Sequence, residues 1–185
     1  MSVKHLNGVH CSFYHYGFEH LVINLFHYCK NCLESGDEIF FSGDPQIYQE
    51  VIDVFQETGE IELDKINYKP ITELITEDLE EGILEKSASK LEKIIEKSRQ
   101  NGYQGLKWIN QAQFAAQKIS VDKYCRIDDF FNTLFSNQLA SLFCFYDYEE
   151  FLKKGTNKKL VYNSYRTHDY NFHKMKIAKK KINIS

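Results

Sequence analysis

Between residues 10 and 32 the chain reads HCSFYHYGFEHLVINLFHYCKNC, four histidines and three cysteines in one short stretch. Residues of these types can ligate a transition metal, exchange thiols and disulfides, or line a phosphate-binding turn between a strand and a helix. Each chemistry makes its own demand on spacing. A metal needs donors that converge on one point. At 100° per residue Cys29 lies about 20° from Val22, on the apolar stripe of the helix that this stretch predicts. His20 and His27 share the opposite face with Asn24 and Asn31, so one helix cannot gather these groups around an ion. No metal ligand is assigned; a set drawn from across the chain, with His10, His15 or His168, is the alternative left open.

Cys29 and Cys32 have the C-x-x-C spacing, but near the C-terminal end of the helix. A redox pair sits at a helix N-terminus, where the dipole lowers the thiol pKa, and a zinc ribbon needs two such pairs. Cys29 is therefore read as a buried structural cysteine. The turn YHYGFEH (14–20) has one glycine, no lysine and no serine or threonine, whereas a P-loop needs G-x-x-x-x-G-K-[ST]. Glu19 would repel a phosphate there, so ATP hydrolysis is not expected. Ser12 and His10 share one face of one strand, a poor basis for a nucleophile–base–acid set, and no catalytic residue is assigned.

The elements that must position these residues follow from pattern and punctuation. GVHCSFY (8–14) predicts a buried strand, and apolar residues at 18, 22, 25, 26, 29 and 33 predict a helix ended by Gly36. DEIFFSG (37–43) is a second strand. In DPQIYQEVIDVFQETG, Asp44 is a candidate N-cap, Pro45 occupies the first helical position and Gly59 follows the last. EIELDKINY (60–68) predicts a short strand and turn, and a charged helical region runs from about 71 to 101, interrupted near Gly82. YQGLKWI (103–109) and LASLFCFYD (139–147) are further strands, VDKYCRIDDFFNTLFS (121–136) a helix, YEEFLKK a helix capped by Asp147, and LVYNSYR (160–166) a last strand. Strands separated by helices predict an α/β fold: three layers, with a mostly parallel sheet covered by helices on both faces.

Composition narrows the function classes. At 185 residues, with 43% hydrophobic and 26% charged residues, the chain fits one globular domain, 1–170, followed by a basic flexible tail, 171–185. A net charge of −3 gives no whole-protein case for nucleic-acid binding, which is left to the lysine-rich tail alone. No segment approaches the roughly 20 apolar residues of a spanning helix. With an odd count of five cysteines and no apolar leader in MSVKHLNGVH, reduced thiols and a cytoplasmic location are expected.

The order of elements resembles the RecA/KaiC-like fold with its phosphate-binding motif lost. Within that fold the chain resembles the MEDS (methanogen/methylotroph, DcmR-like sensory) domain. The residues carrying the likeness are HCSFY (10–14), LESGDE (33–38), GYQGLK (102–107), FCFYD (143–147) and THD (167–169), and they span about 8–170. The family's arginine and glutamate after the fourth strand are Lys107 and Gln111 here; its glutamate four residues before an Asn is Asp128, ahead of Asn132; and its T-H-P is Thr167-His168-Asp169. The resemblance implies a non-catalytic sensor of a small organic molecule. Such domains stand beside DNA-binding or kinase modules, and the 15 residues after Tyr170 are too few for a helix-turn-helix, so a separate signalling partner, a kinase or transcription regulator, is expected.

In an open parallel sheet, ligands bind beyond the carboxyl ends of the strands. His10 and Tyr14 lie an even number of residues apart and face the same side of their strand. With His15, Tyr16, Glu19, Gln111, Asp147 and His168 they are the expected ligand-binding residues, and no cofactor is assigned. The alternatives are a pure interaction protein whose pocket is filled by side chains, and a residual nucleotide-binding enzyme. A homodimer is compatible with either.

Overall fold

A computed structural model describes residues 7–73, 83–153, 158–173 and 176–179. Seven strands are β1 (His10–His15), β2 (Asp37–Ser42), β3 (Ile66–Tyr68), β4 (Gly105–Gln111), β5 (Ala140–Asp147), β6 (Tyr170–His173) and β7 (Lys176–Lys179). The helices are α1 (Gly17–Glu34), α2 (Pro45–Thr58), α3 (Ile83–Gln100), α4 (Ala112–Ile119), α5 (Val121–Phe135), α6 (Tyr148–Leu152) and α7 (Lys158–Thr167). The strands form one sheet in the order β3-β2-β4-β5-β1-β6-β7, parallel throughout except for β7, which runs antiparallel to β6. The chain is the expected three-layer α/β protein.

The central strands are buried on both faces, which explains their nearly continuous apolar sequences. Side-chain alternation divides them between two cores. Cys11, Phe13, Phe41, Phe143 and Phe145 pack with Leu25, Tyr28 and Cys29 of α1 and Val51 and Phe55 of α2. On the other side Trp108, Leu142, Cys144 and Tyr146 pack with Leu91 of α3, Ala116 of α4, Tyr124 and Phe131 of α5 and Leu160 of α7. Each fully buried aromatic contributes about 1.5–3 kcal/mol relative to exposure. The helix punctuation is used as written: Asp44 Oδ1 accepts from Gln46 N at 2.9 Å, Pro45 is the first residue of α2, and Gly59 ends it with φ of 63°.

Two expectations need correction, and one stretch without an expected element gains one. Residues 160–166 are not a strand but most of α7, because Leu160, Asn163, Ser164 and Thr167 repeat at helical spacing and are the buried ones, while Tyr162 and Tyr165 face outward. Helix α4 fills the link between β4 and α5. It ends at Ser120, whose φ of 80° turns the chain and whose hydroxyl caps α5. Residues placed in a loose tail after 170 instead supply β6, paired to β1, and β7, with Phe172 and Ile177 buried. The expected break near Gly82 lies outside the described residues. Among the described residues no helix is long and apolar enough to cross a membrane.

Candidate functional site

Register brings the carboxyl ends of three strands together. His15 of β1 stands opposite Asp147 of β5, and Gln111 of β4 opposite Phe145. A crevice of about 280 Å³ opens there, lined by His15, Gln111, Gln113, Phe114, Phe145 and Asp147 among others. Its polar groups are held in place. His15 Nδ1 lies 3.1 Å from the carbonyl of Gly17, which can only accept, so the proton sits on Nδ1 and Nε2 is left as an acceptor. Burial lowers the His15 pKa below its ordinary value, an effect opposed by that bond and by Asp147. Gln113 clamps the backbone of Asp147 in both directions, at 2.9 and 3.0 Å, while Asp147 Oδ1 caps α6 through Glu149 N and Glu150 N. Gln111 Oε1 accepts from Asp44 N at 2.8 Å. A second cavity of about 520 Å³, walled by Tyr68, Ile71, Phe114 and Ile119, adjoins the crevice through their shared residues Asp44 and Phe114.

A second group of polar residues lies on the other face of the sheet, closed from solvent. Asp128 of α5 is its centre, with no side-chain exposure. Its Oδ2 accepts from Asn163 Nδ2 at 2.9 Å and Thr167 Oγ1 at 2.7 Å. Its Oδ1 faces His10 Nε2 at 3.4 Å, His168 Nε2 at 3.8 Å and Tyr124 OH at 3.5 Å. Cys144 Sγ lies 3.5 Å from His10 Nε2, and the imidazoles of His10 and His168 lie with centroids 3.9 Å apart and planes tilted by 40°. Burial would raise the Asp128 carboxyl, but His168 and the hydrogen bond from His10 outweigh it and hold the group down to about 2. Burial pushes the Cys144 thiol well up.

The sheet thus divides the expected site in two. His15, Gln111 and Asp147 line the crevice. Tyr16, 56% exposed, falls between the lining residues His15 and Gly17 but outside the lining itself, with its ring 4.8 Å from that of Tyr148, and Glu19 is exposed on the first turn of α1. His10 and His168 belong to the closed group, with Tyr14 beside it, its hydroxyl 3.0 Å from Ser164 Oγ. The cause is the parity of β1: His10 and Tyr14 face α5 and α7, and His15, an odd step away, faces α1. Asp128, Cys144, Tyr124 and Asn132 had no assigned role in the sequence. Their signal was the spacing 124, 128, 132, which sets three polar side chains one above another on a helix that also buries Ile127 and Phe131. Cys29 and Cys32 are buried in the aromatic core of α1, Cys32 with its thiol pushed up to about 12 by burial. The burial expected of Cys29 is found, and Cys32 shares it.

Comparison with known proteins agrees with this architecture. No curated protein matches the chain in sequence. Among solved structures it is similar to PH0250 from Pyrococcus horikoshii OT3, with a TM-score of 0.58, 9% identity, and coverage of 98% of this chain and 92% of that one. It is also similar to the uncharacterised protein PH0321 of Pyrococcus horikoshii, solved with an unknown peptide (TM-score 0.54, 10% identity, coverage 93% and 82%). A third likeness is to the ATP synthase subunit NeqB of Nanoarchaeum equitans (TM-score 0.55, 14% identity), which covers 91% of this chain but 48% of that one. At these identities the likeness is one of fold. The family description that matches residues 9–169, most of the chain, is that of the methanogen/methylotroph, DcmR sensory domain, and the chain belongs to this MEDS family of sensory domains.

Proposed function

We propose that the chain is a non-catalytic sensory module that binds a small organic molecule at the carboxyl edge of its sheet and reports occupancy to a separate signalling protein, such as a kinase or transcription regulator. The observation that carries this reading is the crevice between the ends of β1, β4 and β5. It has apolar walls from Phe114 and Phe145 and a few fixed polar groups from His15, Gln111 and Asp147, and it opens beside a larger apolar cavity. Together the crevice and the adjoining cavity reach the scale of small-molecule sites, roughly 300–1,000 Å³. The crevice lining contains no Ser, Thr or Cys to serve as a nucleophile beside His15. The sensory character of the family supports the same role.

Output runs through the mouth of the crevice. Asp147 starts α6, whose first residue, Tyr148, packs on exposed Tyr16. A ligand that prefers one arrangement of this pair shifts the population that a partner recognises, by its differential affinity for the two arrangements. Exposed Leu152, Tyr162 and Tyr165 add apolar surface for such a partner.

The test is a screen of water-soluble fragments by ligand-observed NMR against the full chain and against His15→Phe, which keeps an aromatic ring but removes the Nε2 acceptor. Hits are expected whose affinity falls about tenfold in the variant, the loss of one good hydrogen bond. If no fragment binds at millimolar concentration, or if hits bind the variant equally well, the crevice is not the sensory site.

A further inference from the structure

We propose that His10, Asp128, Cys144 and His168 form a four-coordinate centre for a divalent transition cation of the zinc class, buried between the sheet and helices α5 and α7. The four donors come from β1, α5, β5 and the residue after α7, and their ligand atoms lie within 4.8 Å of one another. Zinc bonds of about 2.0–2.3 Å in a tetrahedron set its donors roughly 3.3–3.8 Å apart. Three of the spacings here are of that size: 3.4 Å from His10 Nε2 to Asp128 Oδ1, 3.8 Å from His168 Nε2 to the same oxygen, and 3.5 Å from His10 Nε2 to Cys144 Sγ. The two nitrogen–oxygen separations, 3.4 and 3.8 Å, are longer than the about 2.7–2.9 Å of a close charge-assisted hydrogen bond.

The surrounding hydrogen bonds point the right atoms inward. His10 Nδ1 lies 3.0 Å from Asn132 Oδ1, and Asn132 is itself oriented by donating its amide to the carbonyl of Thr167. His168 Nδ1 lies 2.8 Å from the carbonyl of Ser164. Both rings therefore hold their proton on Nδ1 when neutral and turn an Nε2 lone pair toward the Asp128 carboxylate. A divalent cation at the common focus of these atoms takes the place of the protons that otherwise lie between each Nε2 and the Asp128 carboxylate. Outer-shell bonds to the far nitrogen of each imidazole are the usual support of a metal-binding histidine. Charge is balanced as well: a divalent ion with one carboxylate and one thiolate is neutral, which a site with no solvent exposure requires. Loading releases the Cys144 thiol proton to solvent. This centre lies across the sheet from the crevice, so the two readings stand or fall separately.

The experiment uses the full chain stripped of metal, both native and refolded from denaturant, titrated with cobalt(II). Refolding admits the ion to a closed site. The expected result is one equivalent bound, with the intense visible bands of a four-coordinate ion and a thiolate-to-cobalt charge-transfer band in the near ultraviolet. The Cys144→Ser variant loses that last band, and Asn132→Leu binds about 10–100-fold more weakly through the loosened His10 ring. X-ray absorption of the zinc-loaded wild-type chain, which needs no variant to fold, is expected to show one sulfur and three nitrogen or oxygen neighbours. Absence of uptake by the wild type, a six-coordinate cobalt spectrum, a zinc shell without sulfur, or a Cys144→Ser spectrum equal to that of wild type overturns the proposal.

Discussion

The face of the sheet beneath α1 and α2 and the face beneath α5 and α7 bury neighbouring residues of the same strands against different partners. Beneath α1, Phe13, Phe143 and Phe172 meet at centroid distances of 5.3–5.6 Å, with Tyr28 at 4.4 Å from Phe143. Such a face is held by area and packing, and many sequences of similar volume satisfy it. Beneath α5 and α7 the aromatic residues Trp108, Tyr124 and Tyr146 surround a carboxylate, two imidazoles and a thiol. Here the groups must satisfy one another, and Asp128 ties α5 to Asn163 and Thr167 of α7 in a single register. One face makes the domain stable; the other fixes which arrangement of helices is the stable one.

The largest effects that separate the faces come from substitutions that keep volume. Asp128→Asn changes shape little but takes the charge from five surrounding groups: His10, His168, Asn163, Thr167 and Tyr124. A loss of about 3 kcal/mol or more is expected, as for a broken buried ion pair, or roughly 6–12 °C in Tm for a chain of this size. Phe143→Met, across the sheet, is expected to cost less than about 1.5 kcal/mol. Chemical denaturation of the two variants checks both. Equal losses would mean that the polar group adds nothing beyond its packing.

The aromatic face has a charged element of its own. Lys107 Nζ lies 3.5 Å from Asp37 Oδ2 and 2.6 Å from Asn7 Oδ1, with both ionised side chains nearly inaccessible. Lys107→Met leaves the buried Asp37 carboxylate without this cation and is expected to destabilise by about 3 kcal/mol; adding Asp37→Leu is expected to recover most of that. A double-mutant cycle measures the coupling. If the double variant is no better than the single, Lys107 holds more than Asp37, and the contrast between the faces weakens.

How much of this was legible depended on how local each signal was. The bounds of α2 could be read because Asp44, Pro45 and Gly59 are each decisive within one turn, and β1, β2, β4 and β5 because each is a short apolar run between turns. α7 was misread because LVYNSYR is rich in strand formers over seven residues; its helical period shows only when Thr167 is included as the fourth buried position. The carboxyl edge could be anticipated from topology, and with it His15, Gln111 and Asp147. The closed cluster could not. Asp128 is one acid among 26, and Cys144 sits in a strand where every neighbour is apolar. Their meeting depends on the distance from α5 to β5 and on how α7 turns back toward β1, which no window of sequence contains. The resemblance to the family had singled out the positions of Asp128 and Asn132, without the geometry that gives them a role.

A smaller effect tests whether the aromatic face is as inert as its packing requires. Cys29 and Cys32 are buried against Tyr28, and their thiols are pushed up by burial, Cys32 to about 12. In the native protein at pH 8 both are expected to react with a soluble disulfide reagent only as fast as the domain opens, so their modification rates match each other and rise with denaturant. Mass mapping of labelled sites over time checks this. Prompt labelling at either position would show a pathway under α1 that the packing does not contain.

The smallest effect is at the edge where the two faces meet solvent, and its sign can be worked out. His15 is held below its ordinary pKa, chiefly by burial, with Gly17 and Asp147 pulling the other way and His20 and Glu149 as the remaining charged neighbours. A group whose folded pKa is depressed binds its proton more readily in the unfolded chain. Its contribution to stability is therefore full above the unfolded value of about 6.5 and is lost as pH falls through that value toward the folded pKa. Wild-type Tm, followed from pH 7.5 to 5, is expected to fall more steeply than that of His15→Phe, which has no proton to take up, and the difference between the two curves isolates this one group from all others. Parallel curves would place His15 in water rather than in the wall of the crevice. If the curves do differ, a ligand that donates a hydrogen bond to Nε2, and so binds only the neutral ring, steepens the wild-type curve further, because it stabilises the form that acid removes.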